Sequence, residues 1–522
     1  MNATPPQGCE AIQSPLIGTV IELRVEPGDT VRAGQSVCVL EAMKTEHVVP
    51  APAAGTIREV LVAVGEVLAE DAPIAWLAAS GASDAPEAVA DTIDLEAVRP
   101  DLAELRARHA LLLDESRPEA VAKRRSRGQR TARENLEALC DAGSFLEYGG
   151  LAVAAMRKTR DLGELRKTTP ADGIITGFGT VNADLFGAEA ARCAVLVVDA
   201  TVLAGTQGFF HHKKIDRILE LAERHGTPVV FFPEGGGGRP NDSDPVELVV
   251  AGLQVTSFHA FARLSGKVPR VSVVSGFCFA GSAAFAGCAD VIIATRNTSL
   301  GMGGPAMIEG GGLGTFAPEE VGPVSVQEEN GVIDIVVEDE LEAAAAARRY
   351  LSYFQGPTTA WSCAEQRTLR HAIPENRRQA YDVRRVIETL CDEESVLELR
   401  RGWGKGMVTA LVRIEGRAFG LLANDPRHLG GAIDADAAEK AARFLQLCDA
   451  FGIALDVFGR TITNSIMLGS FAKTTGMVSL ESLQQGMETV AFRDAALDKN
   501  IQALQRGFEE TSVFDLDKEE GS

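Results

Sequence analysis

One lysine stands where an amine could be acylated and then carried between partners. Lys44 closes the run Glu41-Ala42-Met43-Lys44 and lies midway between two copies of one strand pattern. The first copy reads Gly18-Thr19-Val20, Gly28-Asp29-Thr30-Val31 and Val37-Cys38-Val39-Leu40, and the second reads Gly55-Thr56-Ile57, Gly65-Glu66-Val67-Leu68 and Ile74-Ala75-Trp76-Leu77. The offset is constant, since 55 − 18 and 65 − 28 both give 37. Alternating apolar and polar residues with glycine at the turns predict half-buried strands, and the repeat predicts a small flattened barrel of pseudo-twofold symmetry. Lys44 then falls at an exposed hairpin tip. Such tips admit partner proteins, as a lysine that is modified and then visits distant sites requires. The plainer alternative is a solvated hairpin lysine.

A second kind of chemistry resides in three glycine-rich runs: Glu234-Gly235-Gly236-Gly237-Gly238-Arg239, Gly276-Phe277-Cys278-Phe279-Ala280-Gly281-Ser282 and Gly301-Met302-Gly303-Gly304-Pro305. Glycine permits close backbone approach, so such loops can aim N–H groups at a ligand oxygen. Taken singly, each such loop is more often a tight turn than a site. Upstream, Lys123, Arg124, Arg125, Arg127, Arg130 and Arg133 place six cations within eleven residues. These could hold the phosphates of a nucleotide-like ligand, or form a solvated helix face.

The elements that position these loops alternate. Residues 194–198, 229–232, 271–274 and 291–294 are short apolar strands, and Ile215, Ile218, Leu219 and Ala222 have helical spacing closed by Gly226,. This order predicts a layered α/β region with buried sheets. The region is also internally duplicated. Leu139-Cys140-Asp141 with Ser144-Phe145-Leu146-Glu147 recurs as Leu390-Cys391-Asp392 with Ser395-Val396-Leu397-Glu398, and Lys214, Arg217, Leu219, Leu221 and Gly226 recur as Lys440, Arg443, Leu445, Leu447 and Gly452. Small and acidic residues from Ser80 onward read as a flexible linker.

Composition sets outer limits. A chain of 522 residues, 45% hydrophobic, should hold two to four domains,. No apolar run reaches the ~18 residues of a membrane span, and Met1-Asn2-Ala3-Thr4 lacks a signal-peptide pattern, so a cytoplasmic location is expected. Nine cysteines lie without CxxC pairs, several of them in apolar runs (Cys193, Cys278 and Cys288), which predicts neither disulfides nor a metal site,. A net charge of −22 argues against nucleic acid as a general partner,.

The Ala-Met-Lys tripeptide within its strand repeat resembles the biotinyl domain family over residues 14–79, which implies biotin covalently attached at Lys44 within the motif Glu41, Ala42, Met43. Thr169-Pro170-Ala171-Asp172-Gly173, Thr201-Val202-Leu203-Ala204-Gly205 and the glycine loops at 235–239 and 276–283 resemble the carboxyltransferase of biotin-dependent acyl-CoA carboxylases, acetyl-/propionyl-CoA branch, from about residue 97 to about 455. The resemblance implies a crotonase-like fold in two tandem domains. It also implies transfer of CO2 from carboxybiotin to the α-carbon of a short acyl-CoA, with main-chain amides rather than acidic or basic side chains stabilising the enolate. On the same footing it assigns an oxyanion hole to Ala280 and Gly281, substrate contacts to Gly205, Gly236, Gly237, Gly303 and Gly304, and CoA phosphates to Arg124, Arg127 and Arg130. The implied partners are acyl-CoA, a separate biotin carboxylase subunit, a biotin protein ligase and further copies of the chain; neither metal nor membrane is called for.

The expected organisation is therefore a carrier domain at 1–79, a linker at 80–96, an acyl-CoA-binding domain at 97–360, a partial second carboxyltransferase domain at 361–455 and a helical tail at 456–522. Residues 501–508 have an amphipathic helix pattern where the duplication would place a second oxyanion loop, so the second domain is expected to be cut short, leaving 407–412 and the Phe444-Leu447-Cys448-Phe451 face without their normal cover unless the tail or another subunit supplies it. Within the tail, 459–469, 475–483 and 498–500 resemble the γ subunit of 2-oxoacid:ferredoxin oxidoreductases. Two alternatives stay open: a biotinylated CoA-binding carrier without turnover, and a related acyl-CoA decarboxylase component.

Overall fold

The computed structural model describes residues 6–80, 96–240, 242–244, 255–376, 378–450, 472–473, 478–489 and 497–511. The chain divides into two compact units, Met1–Arg99 and Pro100–Ser522. The described residues of the first unit form eight strands: β1 (Glu10–Gln13), β2 (Gly18–Leu23), β3 (Thr30–Val31), β4 (Ser36–Ala42), β5 (Thr45–Pro50), β6 (Gly55–Val60), β7 (Val67–Leu68) and β8 (Pro73–Ala79). They form two sheets, β1-β8-β6-β3 and β5-β4-β2-β7. The repeat explains this arrangement, because β2, β3 and β4 return as β6, β7 and β8, and each copy lends its short strand to the other's sheet. Mates 37 positions apart are buried together between the sheets: Val20 with Ile57, Val31 with Leu68, Val37 with Ile74, and Leu40 with Leu77. Most of the expected linker, 81–95, lies outside the described residues.

In the second unit, strands and helices alternate around one seven-stranded sheet. Its strands are β9 (Leu146–Glu147), β10 (Ile174–Thr180), β11 (Arg192–Val198), β12 (Val229–Phe232), β13 (Arg270–Val274), β15 (Val291–Thr295) and β17 (Ile335–Val337); β14 (Phe277–Phe279) and β16 (Ser299–Gly301) pair separately. From β11 through β12, β13 and β15 to β17 the pairing is parallel. Parallel strands are buried on both faces and need continuous apolar runs. Accordingly every residue of β12, β13 and β15 is buried, including Ser272 and Thr295. One face is covered by the helix Phe209–His225, whose Ile215, Ile218, Leu219 and Ala222 are buried and whose end is turned by Gly226 at φ 60°. The helices Ala132–Leu139 and Glu340–Ser352 pack their Leu136, Leu139, Ala343 and Tyr350 on the other.

A shorter pass follows. The helix Val383–Leu390, β18 (Leu397–Leu399), β19 (Met407–Ile414), β20 (Arg417–Asn424) and the helix Ala435–Asp449 repeat, in order, the helix Ala132–Leu139, β9, β10, β11 and the helix Phe209–His225. Cover for 407–412 and the Phe444 face, expected from the tail or another subunit, comes in part from the first half of this chain. β19 is buried along all but its last residue, and Phe444 joins Leu411, Leu397 and Tyr350 in a core shared with the first half. Exposure falls instead on β20, where Phe419 is 47% and Leu422 36% accessible. Two tail helices are described, Leu480–Thr489 and Leu497–Glu510, the latter covering the amphipathic run at 501–508. Phe451, residues 459–469 and residues 475–477 lie outside the described residues.

Candidate active site

In the first unit β4 and β5 form a hairpin that pairs Ala42 with Thr45, leaving Met43 and Lys44 as its two-residue tip. Both adopt left-handed backbone, φ 51° and 65°. Two-residue hairpins favour such turns because their twist matches that of the strands, although a residue with a side chain gives up about 1 kcal/mol there. The turn holds both side chains outward: Met43 is 99% accessible and Lys44 is exposed. An amine so presented, with its backbone pinned by the paired strands on either side, fits covalent attachment of a carrier group through an amide.

In the second unit Gly205, Gly236, Gly237, Ala280 and Gly281 are brought together by the loops at the carboxyl ends of β11, β12 and β13, where open α/β sheets bind ligands,. The approach depends on absent side chains. A Cβ on Gly205 would stand 2.8 Å from Glu234 O, and one on Gly237 would stand 2.9 Å from Ala280 Cβ and 3.0 Å from Gly281 N. Main-chain bonds stitch the loops: Gln207 N donates to Gly237 O (2.8 Å), Gly235 N to Phe277 O (2.7 Å) and Phe279 N to Gly235 O (2.9 Å). Gly304 packs behind this group on Phe279, with Gly303 beside Met307. Arg239 closes the glycine run by pairing with Asp172 (2.5 Å) and Asp242 (2.7 Å).

Ala280 and Gly281 differ in what their amides can do. Ala280 has φ 50° and ψ −119° and precedes the helix Gly281–Gly287. Its N–H donates to Gly301 O at 3.1 Å, so Ala280 fixes the turn. Gly281 opens the helix, where N–H groups lack intrahelical acceptors. No backbone hydrogen bond among the described residues uses the N–H of Gly236, Gly237 or Gly281. Gln207 lies against this corner: its Nε2 donates to Ser282 Oγ (3.3 Å) and its Oε1 is 2.6 Å from where a Gly281 Cβ would be.

The arginines are arranged otherwise than the sequence suggested. Arg124 is buried, and its guanidinium forks Glu234 at 2.8 and 2.7 Å with Glu340 at 3.5 Å. Burial pushes the Glu234 carboxyl above its usual range, and the Arg124 charge pulls it back. Arg130 is spent on Asn135 Oδ1 (3.1 Å) and Glu134 O (2.7 Å). Of the three only Arg127 stands exposed, on the rim of a 720 Å3 cleft bordered by Lys123, Gln129, Thr201, Glu234 and Asn297. Arg124 thus faces Glu234 and the buried Glu340, and Arg130 faces Asn135 and a main-chain carbonyl, ahead of any external phosphate. Glu234 could have been singled out as the acid that opens the glycine run at a strand end; its partner 110 residues earlier left no local trace.

The carboxyl transferase domain family matches residues 123–461, and the family of biotin-requiring enzymes matches residues 10–77. A solved structure described as a single-chain, multi-domain long-chain acyl-CoA carboxylase is 50% identical, covering 87% of this chain and 44% of its own with a TM-score of 0.66. A transcarboxylase 12S structure, described as a hexamer assembly with methylmalonyl-coenzyme A and methylmalonic acid bound, is 29% identical over 68% of this chain and 69% of its own, with a TM-score of 0.58. The biotin-dependent acetyl-/propionyl-coenzyme A carboxylase beta5 subunit of Mycobacterium tuberculosis is 31% identical over 72% of this chain and 69% of its own. The chain thus spans less than half the length of the first relative and about two thirds of the other two.

Proposed function

The chain belongs to the carboxyl transferase domain family, and from that premise we propose that it carries biotin on Lys44 and transfers a carboxyl group to the α-carbon of an acyl-CoA. The observation that carries the proposal is the presence, in one chain, of an outward-held Ala42-Met43-Lys44 tip and a corner of uncommitted main-chain amides. Biotin, once attached, supplies a carboxyl group held on its ureido nitrogen. Residues 97–360 bind the acyl-CoA and residues 361–455 contribute the second carboxyltransferase domain.

In this reading the N–H groups of Gly281, Gly237 and Gly236 face the thioester oxygen as negative charge grows on it. Backbone donors fixed before the reaction need no reorganisation, and losing one costs a factor of about 10² to 10³ in rate. Ala280 acts by holding the turn, and Gln207 by filling the space beside Gly281. The Arg124–Glu234 fork and the Arg239–Asp172 pair keep the glycine loop in register. Gly205 clears the way for the Glu234 carbonyl, Gly304 supports Phe279 from behind, and Gly303 lies beside Met307. The carboxyl group comes from a separate biotin carboxylase, Lys44 is modified by a biotin protein ligase, and the working form is a homo-oligomer in the cytoplasm. For chain length, the 50% identical relative is named for long-chain acyl-CoA and the beta5 subunit for acetyl- and propionyl-CoA.

The test is to incubate biotinylated protein with malonyl-CoA or methylmalonyl-CoA labelled in the free carboxyl group and to follow label onto the protein. Transfer that disappears in Lys44→Ala is expected. CoA binding with no label transfer would overturn the enzyme reading. Repeating the forward reaction with acetyl-, propionyl- and palmitoyl-CoA sorts the acyl chain.

A further inference from the structure

The two loops that carry the uncommitted amides are both reached by one residue of a third. Gln207 follows the left-handed turn Leu203–Gly205 in the loop after β11 and is buried. A Cβ on the next residue, Gly208, would overlap the Arg239 guanidinium, so the chain can turn here only without one. The main chain of Gln207 pairs with the glycine run: Gln207 N donates to Gly237 O and Arg239 N to Gln207 O, both at 2.8 Å. Its side chain goes to the other loop. Nε2 donates to Ser282 Oγ (3.3 Å), and the fully buried Ser282 hydroxyl donates in turn to Glu234 O (3.2 Å). Glu234 is the residue whose carboxylate Arg124 forks, and its carbonyl lies where Gly205 leaves room. The carboxamide thus closes a hydrogen-bonded chain through the loops after β11, β12 and β13, and does so beside Gly281.

Packing alone does not call for an amide at this point. A Cβ on Gly281 would stand 3.3 Å from both Gln207 Cδ and Phe258 Cζ, so an apolar side chain of the same length would fill the gap. The duplication supplies a comparison, because the offset of 226 sets Ile433 opposite Gln207, just past the turn Leu429–Gly431 that copies Leu203–Gly205. Ile433 is 59% accessible. The shared frame therefore folds without a polar group there. Burying a carboxamide costs stability unless its groups are hydrogen-bonded, and Gln207 Oε1 accepts no hydrogen bond among the described residues,. The polar group sits where the direction of an amide matters, since a misplacement of about 1 Å can cost about a hundredfold in rate. We infer that Gln207 is a positioning residue for carboxyl transfer, which acts through Ser282 to hold the turn that aims the Gly281 N–H at the thioester oxygen. The role rests on the acyl-CoA reading above, whereas the coupling of Gln207 to that turn rests on the hydrogen bonds themselves.

Three substitutions in the full biotinylated chain test this. Gln207→Met keeps length and volume without the amide, Ser282→Ala removes the relay, and Gln207→Glu offers a donor only while its carboxyl is protonated. In transfer of labelled carboxyl, Gln207→Met and Ser282→Ala should each lower kcat by about tenfold or more, with KM for acyl-CoA within a factor of about two. The double variant should be no worse than the poorer single one. Gln207→Glu should approach the parent as pH falls and its carboxyl gains a proton, and should drop behind as a carboxylate forms beside the growing negative charge. Amide hydrogen exchange read by mass spectrometry should be faster by about threefold or more across 279–288 in Gln207→Met and Ser282→Ala, with unchanged protection of β12 showing that the fold is kept. A Gln207→Met protein with the parent kcat would reduce Gln207 to a space-filler and overturn the inference, as would single losses that multiply in the double variant. Parent protein that transfers no label removes the acyl-CoA reading, and exchange then decides the coupling by itself: faster exchange across 279–288 keeps it and parent-like exchange overturns it.

Discussion

The two halves of the second unit begin alike and end differently. Arg133 forks Glu147 as Arg384 forks Glu398. The Asp141 carboxylate accepts from Asn182 N and Ala183 N, as Asp392 does from Glu415 N and Gly416 N. Leu203, Ala204 and Gly205, at φ 46°, 53° and 70°, are answered by Leu429, Gly430 and Gly431 at 47°, 67° and 87°. Beyond that loop the first half adds β12, β13, β15 and β17, whereas β20 pairs with β19 alone among the described strands. The repeated portion is thus a frame of helix, strands and buried ion pairs. The glycine corner at 235–238 and 276–281 grows from strands that the described part of the second half does not share.

That division can be broken most forcefully at Arg124, which braces the glycine corner and has no counterpart fork among the described residues of the second half. Removing it in Arg124→Ala leaves Glu234 buried beside Glu340 without a cation. Loss of one partner of a buried pair costs about 3–5 kcal/mol. Urea unfolding should register a loss of that size together with loss of carboxyl transfer, and a change below about 1 kcal/mol would show that the fork does not support the corner. Next in size is a matched pair of truncations at equivalent strand positions, Leu196 in β11 and Leu422 in β20, which differ by 226 in number as Lys214 and Lys440 do. Leu196 is fully buried and Leu422 is 36% accessible. Leu196→Ala should cost about 2–5 kcal/mol through the cavity it leaves, and Leu422→Ala less than about 1 kcal/mol. Equal losses would mean that β20 is covered as β11 is.

The repeated ion pairs sharpen the comparison from the other side. Charge-assisted hydrogen bonds of this partly buried kind contribute about 1.5–3 kcal/mol. Arg133→Ala and Arg384→Ala should each lose about 2 kcal/mol in unfolding experiments, with Arg384 toward the upper end because its Nη1 also reaches Asp425 at 2.9 Å. A negligible loss at Arg384 beside a full loss at Arg133 would mark the second half as a separately, more loosely folding piece.

Much of this was legible in the residues themselves. The offset of 37 reported the barrel because period-2 strands must repeat their burial, and Val20 with Ile57 or Leu40 with Leu77 show it doing so. The strands at 229–232 and 291–294 were marked by unbroken apolar runs, which both-face burial demands. The Lys44 tip followed from its place between the copies. The surroundings of the arginines were not legible, because cation density carries no information about partners far along the chain, and Arg124 meets Glu234 and Glu340 at separations of 110 and 216 residues. Cover for the 407–412 strand was looked for in the tail or another subunit because the sequence does not show which distant residues lie near it in space, whereas the first half supplies Tyr350 and its surroundings. Ala280 and Gly281 could not be told apart without seeing that Gly301 O takes the first amide.

The smallest expected effect concerns Lys214 and Lys440, equivalent lysines buried in the two halves. Their ammonium groups donate to main-chain carbonyls, Lys214 to Ala171 O at 2.9 Å and Lys440 to Trp403 O at 3.1 Å. Burial pushes both down to about 8. Below that pH the folded and unfolded chains both keep the proton, so the cost of burying the charge is fully present. As pH rises through about 8 the folded lysine releases its proton while the unfolded one holds it to about 10.4, so the unfolded state binds more protons and stability rises with pH across that window. Each lysine should add about 1 kcal/mol between about pH 7.5 and about pH 9. Lys214→Met and Lys440→Met should each flatten the pH dependence of the urea midpoint by the same amount, relative to the parent protein. Flattening by one variant and not the other would show that the two frames, alike in chain trace, do not bury their lysines alike.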